Sequence, residues 1–389
     1  MHHPFSGLVL ATTILSIATQ AFAQTAEDFR NDALSVDRLI EENYAYLDRF
    51  PLGSAPSSDQ LRSEAEAVHD ARSLVRYAER RLSTLADPHA ITGRSLSDSW
   101  ALTPSYADLW VEPDGEAFRV TAVRPNTPAA AAGVVSGDLL LEVENVPTSE
   151  AVAAYWRDLE VDAPPDGVGY AARVLAAGRR DRPRVMTIRN AAGEVRTLNL
   201  PNLYAAPRND RPPLSISRSA EGLTIVFNDS LGDDATISAF DVAMSAAHPG
   251  ETVILDLADT PSGGNTVVAR AIMGWFVSEA QPYQVHRQIA EERRTGIPRQ
   301  WIEEVLPRAG HHHSGPVEVR VGRWTGSMGE GLAIGLDAID AQVSGCPMAG
   351  LLGAVYDLRL EHSGLVLKLP TERLSAVAGV PREHFVCRP

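Results

Sequence analysis

The sequence predicts an α/β protein assembled from three unlike parts: a helical leader, a β-rich middle and an α/β carboxy-terminal half. Three observations predict it. Between residues 24 and 95, apolar side chains recur every three to four positions among charges. Between 107 and 200, short apolar runs alternate with Gly, Pro, Asn and Asp turns. From 221 onward, short apolar strands alternate with longer helix-like segments, which calls for a layered α/β arrangement.

The amino terminus precedes all three. The first charged residue is Glu27; before it stand the apolar run Leu8–Ala18 and the small-x-small triplet Ala21-Phe22-Ala23. Residues 1–23 therefore read as a cleaved signal peptide, and the mature chain as periplasmic or secreted. The uncharged stretch is also nearly long enough for an anchor, but Thr, Ser and Gln interrupt it.

The leader reads as helices over Ala26–Leu47 and Gln60–Leu85 (a 24–98 domain), stopped by Pro88 in Ala86-Asp87-Pro88-His89. A linker spans Ser95–Pro104. In the middle part, 105–202, strands are expected at Leu109–Glu112 and Phe118–Val123. A Pro-initiated short helix stopped by Gly133 follows, then a Gly137-Asp138 turn feeding Leu139–Val143. A hairpin is expected at Val185–Arg189 and Val195–Leu200. Residues 201–220 read as a second linker. In the last part, 215–389, strands are expected at Leu223–Phe227, Thr252–Leu257 and Val317–Val321. Helices are expected at Ile237–Ala247, Val267–Ser278 and Gly331–Ile339.

Composition narrows the function. The chain carries 35 basic and 50 acidic residues, a net charge of −15. No basic block interrupts that surplus, which excludes nucleic acid as a natural partner. The basic residues are almost all arginine; Lys368 is the lone lysine. Cys346 and Cys387 can pair in an oxidising compartment if the fold brings them together. No metal or cofactor motif appears.

Two segments carry candidate chemistry. Arg323-Trp324-Thr325-Gly326-Ser327-Met328-Gly329-Glu330-Gly331 follows an apolar strand and opens a helix. A serine at such a bend projects its hydroxyl, while the helix start offers free N–H groups and a positive dipole end to a developing oxyanion. The plainer role is a helix N-cap. In the second, Leu255-Asp256-Leu257 runs into Pro261-Ser262-Gly263-Gly264, where paired glycines let backbone N–H groups approach a ligand. No Gly-Lys-Ser/Thr follows, so this is not a phosphate loop.

A serine nucleophile needs a base. With one lysine, histidine is the natural choice. His69 lies in a charged helix and His248 at a helix end before Pro249-Gly250; His286, His362 and His384 have no distinguishing context, and His311–His313 form a run in a Gly/Ser loop, where a metal could bind but solvation is the plainer role. His89 stands out by following a helix stop and preceding Ala90-Ile91.

Taken together, these elements resemble the tail-specific, or carboxy-terminal processing, serine peptidases, including their tricorn-like branch. Leu85-Ala86-Asp87-Pro88-His89 is similar to the family's Leu-x-Asp-x-His-Thr element. Val123–Gly133 and Gly137–Leu141 resemble a PDZ domain. Ile254–Gly264 is similar to the family's strand and double-glycine loop, with Ala258 and Asp259 departing from it. Arg323–Glu330 is similar to its Thr-x-Ser-x-Gly-Glu motif.

The resemblance implies a crotonase-like or ClpP-like α/β catalytic domain with an inserted PDZ-like domain. It implies an acyl-enzyme serine endopeptidase acting on peptides or unstructured protein tails without a cofactor. Ser327 would be the nucleophile. The oxyanion donors would be the N–H of Met328 and of Gly263 or Gly264. The Ser-Lys members place a lysine on a strand after the serine, where this chain reads Met348–Tyr356 without one. The tricorn-like branch instead implies His89 as base, although Pro88 replaces that branch's polar residue. Glu372 is the leading orienting carboxylate, a few residues early relative to Ala378-Gly379-Val380-Pro381; Glu330 and Asp87 are alternatives. The PDZ-like part would capture an extended peptide by strand addition or merely gate the cleft. Two other readings stand beside this one: a catalytically inactive peptide-binding protein, in which Ser327 only caps a helix, and a hydrolase of esters or small amides.

Overall fold

The computed structural model describes residues 24–205 and 211–388. The expected signal peptide, 1–23, lies outside the described residues.

The leader begins with helix Ala26–Asn43, whose first turn is closed by a reciprocal Thr25–Asp28 capping box. Phe29, Ala33, Val36 and Ile40 form its buried stripe. The single helix expected over Gln60–Leu85 is two, Asp59–Ala67 and Ala71–Ser83. Val68 turns extended and Asp70 starts a fresh helix by accepting from the Ser73 N–H at 2.7 Å. A capping residue inside a periodic run is a break that periodicity alone cannot register. The leader is not a free-standing unit. Its core of Tyr44, Leu74, Ala78 and Leu82 is continuous with Leu367 and Leu369 near the far end of the chain.

The middle part is a six-stranded antiparallel sheet. Its main path runs in the order Leu109–Asp114, Ala117–Val123, Leu139–Val143, Arg184–Arg189, Val195–Leu200. Helices Thr148–Arg157 and Gly167–Ala177, which the sequence reading left unassigned, cover the sheet. Trp156, Ala171, Val111, Val120, Met186 and Ile188 share one core. A buried ion pair, Arg184 to both oxygens of Asp108 at 2.6 and 2.9 Å, ties this sheet to the connection before it.

The last part holds the three expected strands, in parallel, with Gln342–Ser344 added at one edge, in the order Gln342–Ser344, Val317–Arg320, Val253–Asp256, Gly222–Phe227. An antiparallel edge strand, Leu214–Ser219, lies within the stretch expected to be a linker. Its Pro, Arg and Ser content disguised a strand that is exposed at five of six positions. Helices Ala235–Ser245, Thr266–Met273 and Met328–Ala338 accompany the parallel sheet.

A second antiparallel sheet stands beside it, in the order Ile91–Thr92, Val366–Ser375, Gln281–Arg287, Gln300–Val305, with Ala354–Arg359 also on Val366–Ser375. The pairing of Ile91–Thr92 with Lys368 and Leu367 fastens the end of the leader to this sheet.

Candidate active site

The two glycine-bearing segments meet because short strands knit them. Asp259–Thr260 pairs in parallel with Trp324–Thr325. The hydroxyls of Thr260 and Thr325 both donate to the carbonyl of Leu257, at 2.9 and 2.8 Å. Beyond this ladder the chain bends sharply at Ser327, with φ +52° and ψ −112°, before entering helix Met328–Ala338. A non-glycine residue in this region is strained, and such strain persists only where surrounding contacts enforce it. Here the enforcing contact is Glu330. Its carboxylate accepts from the Ser327 N–H at 2.9 Å, from Gly350 N–H at 2.8 Å and from Leu351 N–H at 3.3 Å. Glu330 is fully buried, and burial raises its pKa to about 7 against the opposing pull of Arg382 and those N–H donors.

His89 reaches this serine from the opposite end of the sequence. Buried Asp87 accepts from the His89 N–H and from the Tyr44 hydroxyl, each at 2.9 Å, and so locks the turn that follows the leader. Burial raises the Asp87 pKa to about 6. From that turn, His89 Nε2 lies 3.0 Å from Ser327 Oγ, and Nδ1 lies 2.7 Å from the carbonyl of Leu352. A carbonyl can only accept, so Nδ1 carries the proton and Nε2 is left with its lone pair facing the hydroxyl. Burial, and then the positive charge of Arg382, hold the ring's pKa down at about 3, which keeps the imidazole neutral.

Gly263 packs directly on the serine. A Cβ there would stand 2.5 Å from Ser327 Cβ and 3.3 Å from the Met328 nitrogen, and its φ of +69° suits glycine. The Met328 and Gly264 N–H groups have no acceptor among the described residues, whereas the Gly263 N–H makes a long contact, 3.4 Å, with the Thr260 carbonyl.

Among the residues singled out from the sequence, Ser327, His89, Met328 and Gly263 are thus brought together, with Glu330 beneath them. Glu372 is not brought to His89. Its carboxylate is engaged by His286 Nδ1 and by the Tyr356 hydroxyl, the latter at 2.8 Å. His286 also lies 3.0 Å from Glu303 and stacks on Trp301, forming a separate cluster within the second sheet. Lys368 does not serve the serine: its amine is turned to Asp357, 2.7 Å away. The histidine run is split: His313 is buried and bonds to the Glu251 carbonyl at 2.9 Å, while His311 packs on Trp275. Among the described residues no group of three or more side chains could hold a metal ion.

Sequence reasoning missed the 350–353 loop, which supplies Leu352 to the histidine, and Arg382, which donates to the carbonyls of Leu351 and Gly353 at 2.8 and 2.6 Å. The loop contributes backbone rather than side chains, so residue type gave no sign of it.

The PDZ-like part is docked on the same loops. Trp110 meets Trp324 edge to face, and the Trp324 indole donates to the Ala107 carbonyl at 2.8 Å. Arg124 binds Asp259 at 2.7 Å. A PDZ domain profile matches residues 119–158.

The full arrangement can be set against solved structures. Over 92% of this chain and 92% of its own, the photosystem II D1 C-terminal processing protease superposes with a TM-score of 0.55 at 15% identity. The fold is that of the carboxy-terminal processing proteases. Mature CPAF complexed with lactacystin is similar over 94% of this chain and 93% of its own, with a TM-score of 0.54 and 13% identity. A search of curated protein sequences returned no match. Among the described residues, no helix is long and apolar enough to cross a membrane.

Proposed function

We propose that this chain is an exported serine endopeptidase that cleaves peptides or unstructured protein tails through an acyl-enzyme, with Ser327 as nucleophile and His89 as base. The observation that carries the reading is the 3.0 Å contact between His89 Nε2 and the hydroxyl of a serine held at positive φ at a helix start. In the first step Ser327 Oγ attacks the scissile carbonyl carbon as its proton passes to Nε2. The oxygen that becomes negative is met by the N–H of Met328 and of Gly264, with Gly263 giving the close approach. The imidazolium then protonates the leaving amine, and water releases the acid by the reverse sequence. Export is supported by residues 1–23 and by the Cys346–Cys387 disulfide, which suits an oxidising compartment. Substrate capture falls to the PDZ domain, whose sheet ends on strands Leu109–Asp114 and Val195–Leu200.

One observation favours a second reading, a catalytically inactive peptide binder on this fold. The ring of His89 is backed by a carbonyl rather than a carboxylate, so no carboxylate bonds the ring to steady an imidazolium. Fluorophosphonate labelling separates the two. Labelling of wild type that disappears in Ser327→Ala supports the hydrolase; a folded wild type that never labels supports the binder. Turnover of peptide against ester substrates then separates a peptidase from an esterase.

A further inference from the structure

Leu352 lies in a short loop gripped from both sides. From the nucleophile helix, Glu330 accepts the N–H groups of Gly350 and Leu351. From the carboxy-terminal tail, one nitrogen of Arg382 donates to the carbonyls of Leu351 and Gly353, the residues on either side of Leu352. We propose that Arg382 is a positioning residue for the hydrolytic site: it fixes the Leu352 carbonyl, and through it the tautomer and direction of the His89 ring. The inference rests on the hydrolase reading above.

Arg382 is unusual for a buried arginine. It is 4% exposed, and among the described residues no carboxylate lies within ion-pair distance of it. Burying such a cation on carbonyls alone is costly unless its site is fixed by other contacts. The fixing contact is covalent. The Cys346–Cys387 bond joins the tail just after Arg382 to the chain just before the 350–353 loop. The tail is thereby stapled beside the loop that it holds.

The same guanidinium acts electrostatically. The other ionisable groups in this region are Asp87 on the histidine's own turn, Tyr44, Tyr46 and Arg49 from the leader, Glu330 on the nucleophile helix, Arg373 and, beside Arg382, Glu383. Of these, Arg382 is the charge that opposes protonation of His89, and it lowers the pKa of Glu330 as well. Neutralising it therefore raises both, so the acid limb of the reaction moves upward whichever group governs it.

The test compares Arg382→Met, Arg382→Gln and Arg382→Lys with wild type. Arg388→Ala serves as a control, because that exposed tail arginine binds Asp337 and not the loop. Two readouts are taken across pH: the rate of fluorophosphonate labelling, and the ¹⁵N resonances of the His89 ring. Arg382→Met should label about tenfold or more slowly, as expected for a misplaced base. Arg382→Gln should recover part of that loss through its donors but keep an acid limb shifted upward. Arg382→Lys should restore the limb. The His89 resonances should show weakened Nδ1–H protection and easier protonation in the Met and Gln variants. An acid limb and ring resonances unchanged in the folded Met and Gln variants overturn the proposal, even if labelling slows. A wild type that never labels, with ring resonances that still respond to Arg382, sinks the hydrolase reading and leaves the positioning contact standing.

Discussion

The imidazole of His89 is oriented by the backbone carbonyl of Leu352, at 2.7 Å, and not by a carboxylate. This single contact assigns the tautomer, because the remaining nitrogen must then accept from Ser327. The ring is half-buried, and its two nitrogens are engaged by Leu352 and Ser327. His89→Ala should therefore cut labelling and turnover by on the order of a thousandfold while leaving the unfolding midpoint almost unchanged. Retained turnover in a folded variant would show that another group takes the proton.

Gly263 and Gly264 are adjacent but should fail differently. Alanine at 263 places a methyl 2.5 Å from Ser327 Cβ and 2.9 Å from its Oγ, and imposes φ +69° on a residue with a side chain. Alanine at 264 drives its methyl to 2.2 Å from the Leu231 carbonyl oxygen, in backbone that cannot easily yield. Gly263→Ala should lower kcat by on the order of a hundredfold with a stability loss of about 1–2 kcal/mol. Gly264→Ala should act chiefly through soluble yield and urea midpoint. Comparing kcat with urea midpoints for the pair checks this, and equal losses of activity at equal stability would contradict it.

Much of this site was legible as residue types. Ser327 with Glu330 at the helix start, the double glycine, and a histidine after a helix stop each have a local signature that needs no partner to be seen. Glu372 was misassigned because a carboxylate's role depends on what folds against it. Its partners are His286, 86 positions away, and Tyr356. Leu352 and the 350–353 loop were invisible, because they act through carbonyl and N–H groups that every residue has. The second sheet was likewise hidden, since its strands come from five separated stretches, two of which have their alternation broken by Pro282 and Pro370.

The cluster that does hold Glu372 predicts a stability profile. Burial disfavours the His286 imidazolium, but Glu303 and Glu372 outweigh it and raise the pKa to about 9, while His286, 3.0 Å away, brings Glu303 down to about 2. A raised histidine binds more protons folded than unfolded between its ordinary value of 6.5 and about 9. Its contribution is therefore complete below 6.5 and fades as pH climbs through 9. Glu303 works in the opposite sense, contributing above its ordinary 4.5 and losing that contribution as pH falls toward 2. The cluster is most stabilising between about pH 4.5 and 6.5. Unfolding free energies from urea titration should decline from pH 6.5 to 9, by about 2–3 kcal/mol in total, and Glu303→Gln should flatten that decline. An unchanged slope in this variant would mean that His286 is not charged by its neighbours.

The last prediction concerns the Cys346–Cys387 bond, which closes a loop with a sequence separation of 41. Cross-linking a loop of that length restricts the unfolded chain by about 3–4 kcal/mol in the chain-entropy treatment. Cys346→Ser/Cys387→Ser should therefore unfold at a clearly lower urea concentration. Loss of stability is only half of the expectation. The tail freed by reduction carries Arg382, which holds the loop that orients His89. Activity should consequently fall under reducing conditions at a temperature where circular dichroism still reports a folded protein, and should return on reoxidation. Dithiothreitol titration, following peptide turnover and ellipticity in the same sample, checks the order of events. If activity and ellipticity are lost together, the bond stabilises the fold as a whole; if turnover is lost first, the tail's grip on the active-site loop is the more fragile of the two.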